Sequence, residues 1–301
     1  MDVPNEIIIE LTRKCNLDCE FCFNMQSDSS FGELDSEKVY GILDDVVESG
    51  VESVRFTGGE PLLRKDLAQI VEYARKKGLY VIINTNALLI NENISECFNY
   101  VDLVIVSLHD PRLFDEIYSR VKNLDSYDTK IMFATILTKQ NIRDLEKFYQ
   151  FASKIKLKHF VEWFVLRPIP NKYDKVPVDK GDIERIYNKL NELNKKYGFD
   201  IKIANAIPFC AITEDLGKIC KGGIFDSGYS RIVVDSNGMI RKDYFSESVG
   251  NIYYNRLIDV WLSPAMKDIR NYRKVPEECN DCKHLDKCKG GLVGKEYLYR
   301  F

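Results

Sequence analysis

The sequence predicts an α/β protein built on a parallel sheet, followed by a smaller unit that carries cysteines. Three observations predict it. Through about residue 166, short apolar runs of strand length alternate six times with stretches whose apolar residues recur at helical spacing. The runs are near-continuously apolar, as strands buried on both faces of a parallel sheet are. Three prolines (Pro168, Pro170 and Pro177) then mark a linker, and beyond them the repeat stops. A boundary is therefore expected between Arg167 and Phe199, dividing the chain into residues 1–178 and 179–301.

The elements follow in order. Glu6 to Leu11, apolar between acidic ends, is the first strand. It delivers the loop Cys15-Asn16-Leu17-Asp18-Cys19-Glu20-Phe21-Cys22, and Asn24 to Glu33 continues as a polar loop. Asp35-Ser36-Glu37 opens a helix with Val39, Ile42, Leu43, Val46 and Val47 on one face, and Gly50 stops it. Val51 to Phe56 is the second strand, closed by Thr57-Gly58-Gly59-Glu60-Pro61. A helix over Lys65 to Lys77 ends at Gly78. Strand three, Tyr80 to Ile83, ends in Asn84-Thr85-Asn86, and a short helix over Asn91 to Cys97 buries Cys97 as a small hydrophobe. Strand four, Leu103 to Val106, ends in Ser107-Leu108-His109-Asp110. A helix over Arg112 to Leu124, a strand over Lys130 to Leu137, a helix over Asp144 to Ile155 and a strand over Phe160 to Leu166 lead to Arg167. The polar motifs all fall at strand C-termini, the end where α/β folds build sites.

In the second part, a helix over Asp179 to Tyr197 and a strand near Phe199 to Ile203 come first. Arg231 to Val234 and Met239 to Arg241 flank Asp235-Ser236-Asn237-Gly238, a hairpin signal. A turn at Val249 to Ile252 and a helix through Val260-Trp261 follow, then Cys279, Cys282 and Cys288, with Cys210 and Cys220 upstream.

Composition narrows the function. The 301 residues suffice for one large domain and a smaller one. A net charge of −3 with 30% charged residues gives no polyanion-binding surface, so no nucleic-acid partner is expected. No apolar run is long enough for a transmembrane helix, and Met1-Asp2-Val3-Pro4 does not open a secretory signal. Nine cysteines without such a signal point to metal or redox use in a reducing cytoplasm rather than to disulfides.

Three thiolates at C-x3-C-x2-C spacing can hold an iron–sulfur cluster, and a cubane held by three cysteines leaves one iron open to a small molecule. A structural metal knot or three buried thiols is the plainer alternative. A zinc site would show paired C-x2-C or histidine partners, and His109, His159 and His284 all lie far along the chain. With Phe21 directly before Cys22, the motif resembles the signature of the radical S-adenosylmethionine (radical SAM) enzymes. The resemblance implies a partial (β/α)6 barrel. It also implies a [4Fe–4S] cluster on Cys15, Cys19 and Cys22, with Phe21 beside it and S-adenosylmethionine (SAM) on its open iron. Reductive cleavage of SAM to a 5′-deoxyadenosyl radical, which takes a hydrogen atom from the substrate, follows from that family. Gly58, Gly59, Glu60 and Pro61 resemble the loop that contacts the methionine amino group. Glycines there suit close backbone approach, while a strand-to-helix turn opened by Pro61 is the structural alternative. Ser107 resembles the residue for the SAM ribose. Asn84, Asn86 and Arg167 are candidates for the same ligand or the substrate, or else satisfy strand ends and helix caps.

From Cys220 to about residue 291 the layout resembles the SPASM and twitch extensions of that family, which carry auxiliary iron–sulfur clusters. The chain departs from the full SPASM pattern: Asp243 and Leu292 stand where cysteines are expected, and no cysteine follows Cys288. One auxiliary [4Fe–4S] cluster on Cys279, Cys282, Cys288 and Cys220 is expected, with Cys210 and Asp243 as competing ligands. Four-cysteine zinc is the alternative.

The implied activity is that of a radical SAM oxidoreductase supplied by an external electron donor such as flavodoxin or ferredoxin. Its expected substrate is a ribosomal peptide or protein side chain to be oxidised, crosslinked or epimerised. A small molecule such as an aminocyclitol or sugar, to be dehydrogenated or rearranged, is the alternative. A zinc-stapled binding module is the non-enzymatic reading, and it leaves both motifs unexplained. Cys210, His109, Tyr244, Asp110 and Glu162 are candidate hydrogen or proton donors, Cys210 equally a spare ligand.

Overall fold

The computed structural model describes residues 3–22, 32–155, 160–165, 180–203, 228–244, 246–271 and 277–288. Its first half runs β1 (Glu6–Thr12), α1 (Ser36–Glu48), β2 (Ser53–Gly58), α2 (Leu67–Lys76), β3 (Tyr80–Thr85), α3 (Glu92–Ser95), β4 (Leu103–Ser107), α4 (Phe114–Val121), β5 (Lys130–Ile136), α5 (Leu145–Lys154) and β6 (Phe160–Val165). Then come α6 (Lys180–Tyr197), β7 (Lys202–Ile203), β8 (Arg231–Val234), β9 (Met239–Arg241), β10 (Ser248–Asn251), α7 (Leu257–Trp261), α8 (Pro264–Arg270) and α9 (Leu285–Cys288).

Among the described residues the strands form one sheet in the order β10-β9-β8-β1-β2-β3-β4-β5-β6-β7. From β8 to β7 every neighbouring pair is parallel, while β9 is antiparallel to both β8 and β10. The sheet is a partial barrel that does not close, as the family resemblance implies. The helices cover one face. There Ile7, Ile9, Val54, Phe56, Val81, Ile83, Val104, Val106 and Phe133 join Val39, Leu43, Ile70, Val71, Ile117 and Phe148 in a single core. Alternation turns Ile8, Glu10 and Thr12, then Arg55 and Thr57, Ile82 and Asn84, and Ile105 and Ser107 to the other, inner face.

Local signals work as the sequence suggests. Asp35 caps α1 by accepting from Lys38 N at 2.7 Å. Gly50 and Gly78 stop their helices at φ 78° and 86°. Three details differ from expectation. β2 runs on to Gly58, so Thr57 and Gly58 belong to the strand. Val249 to Asn251 is strand β10 rather than a turn. The hairpin β8–β9 forms as expected, but β8 also pairs in parallel with β1, Ile7 with Ile232 and Ile9 with Val234. The physical reason is that β1, whose Ile7, Ile8 and Ile9 are at most 1% exposed, needs a partner on both edges. Arg256 to Asp45 at 3.1 Å and Leu257 N to Asp45 Oδ2 at 2.6 Å tie α7 onto α1.

Candidate active site

The cysteine loop leaves β1 at Thr12 and is fixed before and after its cysteines. Thr12 Oγ1 donates to Glu33, and Lys14 N donates to Thr12 Oγ1 at 3.0 Å. Arg64, whose side chain is only 6% exposed, donates through Nη1 to Leu11 O at 3.1 Å and Leu34 O at 2.6 Å, so one guanidinium holds both ends of the loop. Its other nitrogens are bonded to Asp66, which Arg64 holds below the usual carboxylate range. Gly32 N donates to Asn237 Oδ1 at 3.0 Å, a link from the loop to the β8–β9 hairpin.

The glycines press against the same loop. A Cβ on Gly59 would lie 2.1 Å from Lys14 O, and one on Gly58, whose φ is +139°, 2.1 Å from Thr12 O. Gly59 N donates to Thr12 O at 2.6 Å and Glu60 N to Lys14 O at 2.8 Å. Close approach is therefore required here by protein backbone, whatever ligand these residues also meet. Gly59→Ala must displace the cysteine loop. Its expected result is a cost on the order of 3 kcal/mol in urea unfolding and loss of iron loading after reconstitution.

Glu60 is 1% exposed. Its Oε1 accepts from Leu62 N at 3.1 Å and Thr85 Oγ1 at 2.7 Å, and its Oε2 from Asn86 N at 2.8 Å. Burial raises its pKa, and the three donors pull the other way. The carboxylate joins the end of β2 to the end of β3, a positioning role. Asn86 carries the link onward: its Nδ2 donates to Asn16 Oδ1 at 2.8 Å and faces Cys15 Sγ at 4.0 Å. Ala87, fully buried at φ 65°, completes this turn. Asn84 Oδ1 on β3 is buried and has no hydrogen-bond partner among the described residues. Ser107 ends β4 in register with Ala134 on β5.

Cys15, Cys19 and Cys22 are partly buried, and Cys22 N donates to Cys19 O at 2.9 Å in a tight turn. Burial, then Cys22, Cys15 and Asp18, push the Cys19 thiol up to about 11. Burial also raises Cys15. Three thiols within electrostatic reach, with an amide N–H facing one of them, fit a cluster held by three sulfurs. Among the described residues no three His, Cys, Asp or Glu gather tightly enough for a single metal ion, and a cubane spaces its ligands more widely.

Phe21 meets His109 edge-on, with ring centroids 4.9 Å apart, which brings the cysteine loop to the end of β4. His109 Nδ1 accepts from Ile136 N at 3.1 Å, and burial pushes its pKa down to about 4. It is neutral at pH 7, with Nε2 carrying the proton. Asp110 is held by Arg112 and lies below the usual carboxylate range.

The second cysteine set is described only in part. Cys282 N donates to Cys279 O at 3.1 Å, the same turn as in the first loop, and Cys288 ends α9. Asp243 is buried, with its carboxylate accepting from Lys242 Nζ and from Ser246 N at 2.7 Å. Tyr244 follows it in the turn before β10. Arg167, Cys210 and Cys220, and the side chains of Glu162 and Cys288, lie outside the described residues.

Sequence reasoning missed Arg64, a lone arginine in a loop, and Glu10, which read as the polar end of an apolar strand. Glu10 is 4% exposed on the inner face and makes no hydrogen bond or ion pair among the described residues. Burial pushes it up to about 7; Arg13 and Arg241 draw it down and Asp235 draws it up. Between about pH 4.5 and 7 the folded protein therefore keeps a proton that the unfolded chain has released, so stability falls as pH rises through that window. Ionising Glu10 in the fold costs on the order of 3 kcal/mol. Urea unfolding is expected to show Glu10→Gln more stable than the parent at pH 8 and equal to it near pH 4.5.

The family model described as the radical SAM superfamily matches residues 9–152, and that described as an iron–sulfur cluster-binding domain (SPASM) matches residues 226–283. The chain is 25% identical to the Fe-coproporphyrin III synthase of Methanosarcina barkeri, over 97% of this chain and 84% of that protein. It is 22% identical to the PqqA peptide cyclase of Gluconobacter oxydans, over 96% of this chain and 85% of that protein. The solved structure of Streptococcus suis SuiB bound to its precursor peptide SuiA superposes with a TM-score of 0.77 at 21% identity, covering 99% of this chain and 75% of that one.

Proposed function

The chain is a radical SAM enzyme with a C-terminal SPASM iron–sulfur domain, and from that premise we propose that it modifies a side chain of a peptide or protein by oxidation, crosslinking or epimerisation. When bound, the [4Fe–4S] cluster and SAM supply one-electron cleavage of a carbon–sulfur bond and the hydrogen-atom abstraction that follows. The chain's residues hold and shield that chemistry. Cys15, Cys19 and Cys22 ligate the SAM-binding cluster, and Asn86 directs an N–H at Cys15 Sγ. Arg64 and Glu60 fix the loop that carries them. Phe21 and neutral His109 wall the mouth on the β4 side. Ser107 and Asn84 face the inner side, where the cofactor's polar groups and the substrate meet. Cys279, Cys282 and Cys288, with Cys220, would hold the auxiliary cluster, which in an oxidation would supply an acceptor for the electron left on the substrate once a hydrogen atom has been removed. A flavodoxin- or ferredoxin-type donor would supply the separate electron that cleaves SAM.

The observation that carries the peptide reading is the inner face. Glu10 and Asn84 Oδ1 are hydrogen-bond acceptors without protein donors among the described residues, which suits a substrate rich in N–H groups. A second reading, a tetrapyrrole substrate, is favoured by the 25% identity along nearly the whole chain to an Fe-coproporphyrin III synthase, a protein named for a tetrapyrrole product. An unpaired carboxylate on the inner face disfavours a ring bearing several carboxylates. The test is anaerobic turnover with SAM and dithionite against peptide libraries and a set of iron porphyrins and their less oxidised iron tetrapyrrole precursors. Formation of 5′-deoxyadenosine in step with a peptide mass change supports the first reading. Formation driven by a tetrapyrrole alone overturns it.

A further inference from the structure

One row of the inner face divides by polarity. Glu10 is in register with Thr57. Phe56 is in register with Ile83, which sets Thr57 beside Asn84. Asn84 is in register with Ile105, and Ile105 with Met132. The β1–β3 side of the row is thus polar and the β4–β5 side apolar. Among the described residues, two acceptors on the polar side lack a protein partner: the Glu10 carboxylate, only 4% exposed, and the buried Asn84 Oδ1. Glu60, the other buried carboxylate of the site, shows how the fold satisfies such a group when its role is internal, with three donors.

The charges around Glu10 do not bond to it. Arg13 and Arg241 act on it only through their fields, and Arg241 is bonded to Asp235 Oδ2 at 3.0 Å and Ser246 O at 2.6 Å. Asp235, set beside Glu10 by the pairing of Ile9 with Val234, adds negative charge. From β2 the facing residue is Thr57, and Arg55 lies one row below, bonded to Glu6 at 2.8 Å.

We propose that Glu10 and Asn84 receive a primary ammonium group of the substrate, with Ile105 and Met132 lining the methylene stem that carries it. A lysine side chain has that shape, and the assignment rests on the peptide reading above. An amino sugar, or the amino group of SAM, offers the same charge without the stem. The ionised carboxylate is the binding form, so affinity falls as pH drops below about 7.

The test titrates N-acetylated, C-amidated Gly-Lys-Gly and Gly-norleucine-Gly, which differ only in the side-chain ammonium, and glucosamine into the reconstituted SAM-loaded protein by calorimetry at pH 8 and pH 6, with SAM binding followed by EPR. The expected result is a preference of about tenfold or more for the lysine over the norleucine peptide at pH 8. That preference shrinks at pH 6 and is lost in Glu10→Gln and Asn84→Leu, while the SAM-induced EPR change persists in Glu10→Gln. Equal affinity for the two peptides overturns the ammonium site and leaves the peptide reading standing. Glucosamine binding that depends on Glu10, with neither peptide bound, keeps the site and overturns the peptide reading. Loss of the SAM-induced change in Glu10→Gln, or no binding of any probe, overturns the proposal.

Discussion

Cys19→Ala is expected to abolish reductive SAM cleavage and to remove about half the iron of the reconstituted protein. Cys19 stands between its two partners on a loop whose ends are fixed by Arg64 and by the glycine turn. With it gone, two local sulfurs remain for a cubane that requires at least three, and no other cysteine of the described residues lies on this loop. Cys279→Ala is the matched control. It should lower iron content by a similar amount yet leave the SAM-induced EPR change intact, because its C-x2-C turn belongs to the second site. Iron analysis and EPR on both variants check this. Equal loss of the SAM response in both would mean that the two cysteine sets form a single site.

Glu60→Ala is expected to cause the largest loss of stability of any single change in the mouth. Three buried donors, Leu62 N, Thr85 Oγ1 and Asn86 N, lose their acceptor together. At about 1–3 kcal/mol each the sum is on the order of 3–9 kcal/mol, comparable with the whole stability of a domain. The damage reaches the cysteine loop, because Asn86 then no longer holds its amide toward Asn16 and Cys15. Glu60→Gln keeps the shape and loses one acceptor, so its cost should be about a third as large. Thermal unfolding of the three proteins gives the order parent, Gln, Ala. An unchanged midpoint for Glu60→Ala would contradict the positioning role.

How much of this was legible in the sequence depended on the range of the signal. The cysteine spacing, the Gly58-Gly59-Glu60-Pro61 turn and the Asp235–Gly238 hairpin turn are local, and local chemistry explains each: thiol ligation, close backbone approach, tight reversal. The alternation of strands and helices was legible because buried parallel strands are continuously apolar. That same continuity hid Glu10. In a strand buried on both faces, period two carries no visible alternation, so the face that Glu10 occupies emerges only with the register. The pairing of β8 with β1 joins residues more than two hundred positions apart, and no local pattern announces it. Arg64 was invisible for a similar reason: its acceptors, Leu11 O and Leu34 O, are backbone carbonyls that carry no sequence signature. Asp243 was read as a competing ligand from its place in the motif. The fold pairs its carboxylate with Lys242 and Ser246 N.

The most direct measurement is anaerobic iron, sulfide and zinc content of the reconstituted protein, with EPR of the reduced form before and after SAM. About eight irons per chain, with two cluster signals of which one shifts on adding SAM, is the predicted result. A chain that takes up no iron under these conditions would contradict the assignment of Cys15, Cys19 and Cys22 to a SAM-binding cluster. About four irons with one zinc would keep that cluster and remove the second electron acceptor.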